Sequence, residues 1–200
     1  MTHFIFDIGG VLIDYSVDRL IRRVCEQTGV GFGKAAQELA SADTREVESG
    51  RMDGREFFEQ HIKVIVPHWT YQHWVAAWME NYSINEPGCR LFLELKTRGQ
   101  PVYMLSNLAE YNKEAIERKF PALFRASRKN FFSFELGCLK PGAEIYQKTC
   151  AWIGAAPQQC VFLDDVQANV DGASSVGMTS LCFANERAED IRAALAKFTS

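Results

Sequence analysis

The sequence has no large excess of charge of either sign and no long hydrophobic run. Its 22 lysine and arginine residues stand against 25 aspartate and glutamate residues, which gives a formal net charge of −3. Because nucleic acids attract a basic surface, this balance argues against nucleic acid as the main partner. No apolar run approaches the ~20 residues that a membrane-spanning helix needs. We therefore expect a protein that binds neither nucleic acid nor a membrane.

Signals for secretion and for disulfide bonding are also missing. The N-terminal segment MTHFIFDIGG has no basic part and reaches an acidic residue at position 7, unlike a signal peptide. The six cysteines lie far apart and form no CxxC pair. Free thiols in a reducing compartment fit this spacing, so the sequence predicts a cytoplasmic protein. Its 200 residues, 47% of them hydrophobic, are enough for one well-buried core.

Short apolar runs that end in polar or glycine-rich turns predict strands buried on both faces. There are five of them: His3–Asp7, Val102–Ser106, Phe131–Glu135, Cys160–Asp165 and Thr179–Phe183. Helical patterns precede the second strand and follow the later ones: Glu86–Arg98, Ala109–Lys119, Gly142–Ile153, Gln167–Val176 and Glu186–Lys197. This alternation predicts an α/β fold with a doubly wound, Rossmann-like parallel sheet.

The chain between the first two strands breaks this alternation. Residues 15–85 contain no convincing strand. Helical periodicity fits four segments there: Val17–Gln27, Gly33–Ala40, Arg55–Val64 and Tyr71–Met79. We therefore predict an α/β core domain made of residues 1–14 and 86–200, with residues 15–85 inserted as a helical cap subdomain. The part of the insertion around Thr44–Glu48 is expected to face the functional site.

Polar side chains lie at or just after the carboxyl ends of the predicted strands. Asp7 ends the first strand, Ser106 with Asn107 the second, and Asp164 with Asp165 the fourth, while Lys140 follows the third. In open α/β sheets, ligands bind outside these strand ends, where the strand order reverses. A lone aspartate after a strand is usually a helix cap, but residues at four equivalent positions predict a single shared site.

The residue types also make joint chemical sense. Two or three carboxylates at one edge repel one another unless a hard cation lies between them, which predicts Mg²⁺. The cation and Lys140 would neutralise a phosphoryl group, while the Ser106 hydroxyl and nearby backbone N–H groups would hold its oxygens. Asp7 would then be free to attack phosphorus and form an aspartyl-phosphate.

Four segments resemble, in order, the motifs of the haloacid dehalogenase-like (HAD) hydrolases. They are FDIGGVLID (6–14), MLSN (104–107), LGCLKPGAEIY (136–146) and FLDDVQANVDGASSVGMTS (162–180). The insertion stands where that family carries its type-1 helical cap. Within the superfamily, the sequence looks closest to the bacterial branch that includes α-D-glucose-1-phosphate phosphatase. The shared features are Gly two residues after the first Asp, LSN, LGxxKP and DDxxxN.

The resemblance implies a metal site and a nucleophile. Asp7 matches the nucleophile and one Mg²⁺ ligand, the backbone carbonyl of Gly9 matches the second protein ligand, and Asp165 matches the third. Asp164 would support the cation directly or through water.

The resemblance also implies a phosphate site. Ser106 and Lys140 match the phosphate-binding pair, and Lys140 would restrain the charge of the nucleophile. Asn107 and Gly10 are further candidates for phosphate binding, with turn geometry as their alternative role. Asn169 matches a polar position that supports the site from behind.

Gly9 is a departure from the usual pattern. Most phosphatases of the superfamily carry Asp at this position, where it protonates the leaving oxygen and later activates water. General acid–base catalysis typically contributes ~10²–10⁴-fold. Gly9 therefore implies slow hydrolysis, a substitute acid from the cap or the substrate, or no turnover. The expected substrate is a small phosphorylated metabolite. A sugar 1-phosphate is one candidate, because its leaving oxygen is less basic than that of a 6-phosphate.

Other functional classes stay open at this point. A phosphate-switched receiver module also uses carboxylates and Lys, but its paired acids come at the first strand, whereas here they come at the fourth. A haloacid dehalogenase needs no Mg²⁺ and would leave Asp164 and Asp165 unexplained. A catalytically weak module that binds phosphate esters or a protein is supported by Gly9 alone.

Overall fold

A five-stranded parallel sheet forms the centre of the structure, a computed structural model that describes residues 1–41 and 43–199. Its strands are β1 (His3–Phe6), β4 (Val102–Ser106), β5 (Asn130–Phe132), β6 (Cys160–Asp164) and β7 (Thr179–Cys182). Two further short strands, β2 (Ile13–Asp14) and β3 (Ser83–Ile84), form a separate two-stranded sheet. The large sheet has the order β5-β4-β1-β6-β7, and all its pairings are parallel. The strand order reverses at β1, so the carboxyl end of β1 is the expected ligand position.

Alternate strand residues enter two separate hydrophobic clusters, one on each face of the sheet. Phe4 and Phe6 belong to the cluster that includes the buried side of the helix at residues 86–97, whereas Ile5 belongs to the cluster that includes Ile145 and Tyr146. Both clusters are buried, so the strands are apolar on both faces. This two-sided burial explains the continuous apolar runs of the sequence and confirms the predicted α/β fold class.

Helices cover both faces and fill the insertion. In chain order they are α1 (Val17–Thr28), α2 (Phe32–Ser41), α3 (Thr44–Glu48), α4 (Gly54–Phe57), α5 (Tyr71–Asn81), α6 (Glu86–Thr97), α7 (Glu110–Lys119), α8 (Pro121–Ala126), α9 (Ser133–Leu136), α10 (Ala143–Ile153), α11 (Gln167–Ser175) and α12 (Ala188–Ala196). Among residues 1–41 and 43–199, none of these helices combines the length and the hydrophobicity that a bilayer crossing demands.

The predicted insertion differs from the sequence-based expectation in three places. Thr44–Glu48 forms a helix, α3, that the sequence analysis did not predict. The insertion also contains a strand: Ser83 and Ile84 pair antiparallel with Asp14 and Ile13, and two residues are too few to produce a period in the sequence. The helix expected at Arg55–Val64 is α4 followed by a π-helical segment, Phe58–Ile62. The short β2–β3 ladder joins the two ends of the predicted insertion, residues 15–85.

The third strand of the large sheet is shorter than predicted. The sequence predicted a strand over Phe131–Glu135, but β5 ends at Phe132 and Ser133 begins α9. The Ser133 hydroxyl accepts a hydrogen bond from the Leu108 backbone N–H and donates one to the backbone oxygen of Glu48. These tertiary contacts turn the chain out of the sheet, and aromatic periodicity does not reveal them.

Candidate active site

Lys140 and two aspartates form a buried ion cluster at the carboxyl edge of the large sheet. Asp7 directly follows β1, Asp164 ends β6, and Lys140 lies between α9 and α10. Lys140 Nζ lies 2.9 Å from Asp7 Oδ1 and 2.5 Å from Asp164 Oδ2. It also donates to the backbone oxygen of Leu105 at 3.2 Å. All three charged side chains are buried. The Lys140 ammonium group therefore offsets much of the free-energy cost of burying the two carboxylates together.

Asp164 is fixed from behind by α11. Asn169 Nδ2 donates to Asp164 Oδ1 at 2.9 Å and to Oδ2 at 3.1 Å, and the Val166 backbone N–H donates to Oδ1 at 2.9 Å. The Tyr146 hydroxyl in turn donates to the backbone oxygen of Asn169 at 2.7 Å. These contacts hold Asp164 against Lys140, so Asp164 orients the ammonium group.

Burial has the largest influence on the ionisation of Asp7. It raises the pKa of Asp7 to about 7; Lys140 and Ser106 act to lower it, and the charge of Asp164 acts to raise it. Burial lowers the pKa of Lys140, but the carboxylates of Asp7 and Asp164 outweigh that effect and raise it overall. Lys140 therefore remains a cation and favours the anionic form of Asp7 that a nucleophile needs.

Three carboxylates are arranged so that they could share a metal ion. One oxygen from each of Asp7, Asp164 and Asp165 lies within 4.8 Å of the others. Asp165 is exposed, while the other two are buried, so the group faces open space on one side. Oxygen-only ligands around a partly open position suit Mg²⁺, which keeps several waters. The residues present therefore fit the predicted cation.

The absence of a side chain at Gly10 leaves room for the Asp165 carboxylate. Gly10 has a φ of +70°, which is in the left-handed region, and a Cβ atom there would lie only 2.1 Å from Asp165 Oδ2. This close approach favours a packing role for Gly10, which is the alternative that the sequence left open.

We expect Gly10→Ala to lower kcat/KM for phosphate esters by on the order of 10²-fold, since displacement of a catalytic group by about 1 Å can have that effect. Gly33→Ala is the matched control, because a Cβ at Gly33 meets no atom within 4 Å. Steady-state kinetics of both variants test this expectation. A Gly10→Ala variant as active as the Gly33→Ala variant would contradict it.

Asn107 and Ser106 have different surroundings. The Asn107 side chain accepts from the Lys140 backbone N–H at 2.9 Å and donates to the Lys140 backbone oxygen at 3.0 Å. Both ends of its amide are thus occupied in fastening the Lys140 segment to the end of β4, which favours turn geometry over phosphate binding. Ser106 ends β4, is buried, and lines the same cavity as Asp7.

A cavity of about 430 Å³ opens above these residues. Its floor includes Asp7, Gly9, Ser106, Lys140 and Asp165, and Asn169 also lines it. Aromatic side chains contribute much of the remaining lining: Tyr15, Phe57, Trp74, Trp78, Tyr82 and Tyr111. Thr44 and Glu48 also line the cavity, and they belong to the segment that the sequence predicted to face the site.

Tyr15 occupies the side of Gly9 where the usual aspartate would project. A Cβ at Gly9 would lie 3.0 Å from Tyr15 Cε1. The Tyr15 ring also packs near Trp78 and Tyr82, with ring centroids 6.4 and 6.3 Å away. Sequence reasoning missed Tyr15, because a single tyrosine after the first motif has no spacing that marks it. An aspartate side chain at position 9 would therefore begin in close contact with the Tyr15 ring.

The sequence matches the haloacid dehalogenase-like hydrolase family over residues 1–177. The chain belongs to the haloacid dehalogenase-like hydrolases. A D-ribitol-5-phosphate phosphatase from Bacteroides thetaiotaomicron is 26% identical over 196 residues, which cover 88% of this chain and 89% of the relative. The family predicted from the four motifs is thus confirmed.

Solved structures of the HAD family share the fold. A HAD-like family hydrolase from Porphyromonas gingivalis has a TM-score of 0.79 and 26% identity, and the match covers 98% of each chain. A HAD family enzyme from Bacteroides thetaiotaomicron, in complex with magnesium and inorganic phosphate, has a TM-score of 0.79 at 22% identity over 92% of this chain and 95% of its own. The assignment as a HAD-like phosphatase is confirmed, while the glucose-1-phosphate branch stays a prediction.

Proposed function

We propose that this chain is a Mg²⁺-dependent phosphomonoester hydrolase that works through an aspartyl-phosphate on Asp7. The observation that carries this proposal is the buried Asp7–Lys140 pair, with an N–O distance of 2.9 Å, on the floor of a cavity that also exposes the carboxylate of Asp165. A nucleophile, a fixed cation and a candidate metal ligand thus lie around one position where a phosphoryl group can bind.

In this mechanism, Asp7 Oδ attacks phosphorus while the ester oxygen leaves, and water then cleaves the aspartyl-phosphate and regenerates the carboxylate. Lys140 holds Asp7 in its anionic form and neutralises charge on the phosphoryl oxygens. Ser106 donates to one of those oxygens. Mg²⁺, held by Asp7, Asp165 and the carbonyl of Gly9 with Asp164 beside it, would neutralise further phosphoryl charge as a Lewis acid.

The proposed substrate is a small phosphorylated metabolite that enters between the core and residues 15–85, which serve as the cap. Gly9 favours a sugar 1-phosphate, whereas the named relative from Bacteroides thetaiotaomicron acts on D-ribitol 5-phosphate, a primary alkyl ester. Both ester classes belong in the first experiment. We also propose a cytoplasmic location, which the six free cysteines support.

Phosphate release from a hexose 1-phosphate, a hexose 6-phosphate and D-ribitol 5-phosphate, measured with Mg²⁺ and with EDTA, tests the proposal. We expect release that EDTA abolishes and added Mg²⁺ restores. Asp165→Asn is expected to raise the Mg²⁺ concentration needed for half-maximal rate by about 10-fold or more, because the cation loses a charged ligand. Asp171→Asn, an exposed aspartate on α11, is the control and should leave this concentration unchanged.

Two results would favour the other candidates. Activity that is indifferent both to EDTA and to Asp165→Asn would favour metal-free, dehalogenase-type hydrolysis. Saturable binding of these esters without any release of phosphate would favour a binding module.

A further inference from the structure

A glutamate of the insertion lines the same cavity as Gly9. Of the described residues that line the cavity, three carry carboxyl groups: Asp7, Asp165 and Glu48. The first two belong to the core and to the candidate metal site. Glu48 ends α3 in the insertion and lies outside that metal group. Since Gly9 supplies no acid, Glu48 is the carboxyl group left over for proton transfer.

The backbone of Glu48 is fixed to the core beside the phosphate site. Ser133 Oγ donates to the Glu48 backbone oxygen at 2.5 Å and accepts from the Leu108 N–H at 3.1 Å. Leu108 lies two residues after Ser106, which ends β4. Two residues after Glu48, Gly50 (φ +71°) packs closely against the core, because a Cβ on Gly50 would lie 2.2 Å from the Phe134 backbone oxygen. These contacts fix the end of α3 at the carboxyl edge of the large sheet, the edge where Asp7, the proposed nucleophile, also lies.

The electrostatic surroundings suit a proton donor. No lysine or arginine of the described residues forms a salt bridge with Glu48. Burial raises the pKa of Glu48, Thr44 acts to lower it, and the charge of Asp43 acts to raise it. The pKa of Tyr15 is raised by burial and then by Asp7, Asp165 and Glu48 in turn, so the Tyr15 phenol lies within electrostatic reach of all three carboxylates.

From this geometry we propose that Glu48 is the acid and base that replaces the missing aspartate at Gly9. The inference rests on the proposed phosphatase function. As Asp7 bonds to phosphorus and the P–O ester bond breaks, the leaving oxygen takes the proton of the Glu48 carboxyl group and departs as the alcohol. The Glu48 carboxylate then takes a proton from water as that water's oxygen attacks the phosphorus. The bond to Asp7 breaks, inorganic phosphate is released, and Glu48 is protonated again.

A leaving-group series tests this role. The esters are p-nitrophenyl phosphate, a hexose 1-phosphate and a hexose 6-phosphate, in order of increasing basicity of the leaving oxygen. Glu48→Gln is expected to lower kcat/KM for the 6-phosphate by about 10²–10³-fold and to change kcat/KM for p-nitrophenyl phosphate little, because kcat/KM reports the loss of the alcohol and only a basic oxygen needs the proton. The 1-phosphate should fall between them. Loss of the base in the second step lowers kcat, and that effect is common to the three esters. The retained aryl ester activity also shows that the variant is folded.

Two control variants make the result specific. Glu46 is exposed on the same helix, so Glu46→Gln is expected to match the wild type with all three esters. Tyr15→Phe removes the phenol that lies beside Gly9 and is expected to keep the wild-type leaving-group profile. Selective loss of the 6-phosphate in Tyr15→Phe instead of Glu48→Gln would overturn the proposal and assign the proton to Tyr15.

An equal loss of kcat/KM with all three esters in Glu48→Gln would also overturn it, since a role in binding or folding has no reason to follow leaving-group basicity. Failure of the underlying function has a different signature: the wild type itself would release no phosphate from any of the three esters in the presence of Mg²⁺.

Discussion

Asp7→Asn is expected to lower phosphate release by at least about 10⁴-fold while the protein remains folded. The amide is nearly isosteric with the carboxylate, and its oxygen can still accept from the Ile8 N–H, which lies 2.7 Å from Asp7 Oδ1. It cannot attack phosphorus. The fold should tolerate the change, because burial already disfavours the charged form of Asp7 and Lys140 keeps its contact with Asp164.

Single-turnover kinetics and a thermal melt of the same sample check this expectation. Mass spectrometry must first show that the asparagine has not deamidated, since a small fraction of regenerated aspartate would imitate residual activity. Near-normal turnover by a verified Asp7→Asn variant would rule out the aspartyl-phosphate mechanism. A collapsed melting transition would instead show that Asp7 is needed for the fold.

The convergence of the polar residues could be predicted from the sequence. Parallel strands place their carboxyl ends on one edge, so the polar residues in the segments that follow the apolar runs belong to one region. The cavity lining bears this out for Asp7, Ser106, Lys140 and Asp165. Strand direction and order along the chain are enough for this prediction. The prediction does not depend on the exact strand ends, so the error in the end of the third strand did not change the predicted position of the site.

The pairing of those residues could not be predicted in the same way. Periodicity identifies no partner for Lys140, and the contacts of Asp164 with Asn169 depend on how α11 turns back on β6. The bond between Ser133 and Glu48 joins positions 85 residues apart. Such contacts result from tertiary packing of side chains that are ordinary in their own segments.

Lys140→Met is expected to have the largest effect on stability. The side chain is 1% exposed, and its removal leaves the carboxylates of Asp7 and Asp164 buried without their cation. Breaking a buried pair by removing one partner typically costs about 3–5 kcal/mol of unfolding free energy. Turnover should fall by about 10²–10³-fold or more, because charge on the transferring phosphoryl group is no longer neutralised.

Denaturant unfolding of Lys140→Met and of the double variant Lys140→Met/Asp164→Asn separates the two effects. The second change removes one of the two stranded charges and retains an oxygen that can accept from Asn169, so it should recover part of the lost stability. It should recover no activity, because Asp164 acts on the reaction through Lys140. Wild-type stability in the single variant would show that these carboxylates do not depend on the Lys140 cation. Restored turnover in the double variant would show that Lys140 serves only to neutralise Asp164, with no role at the phosphoryl group.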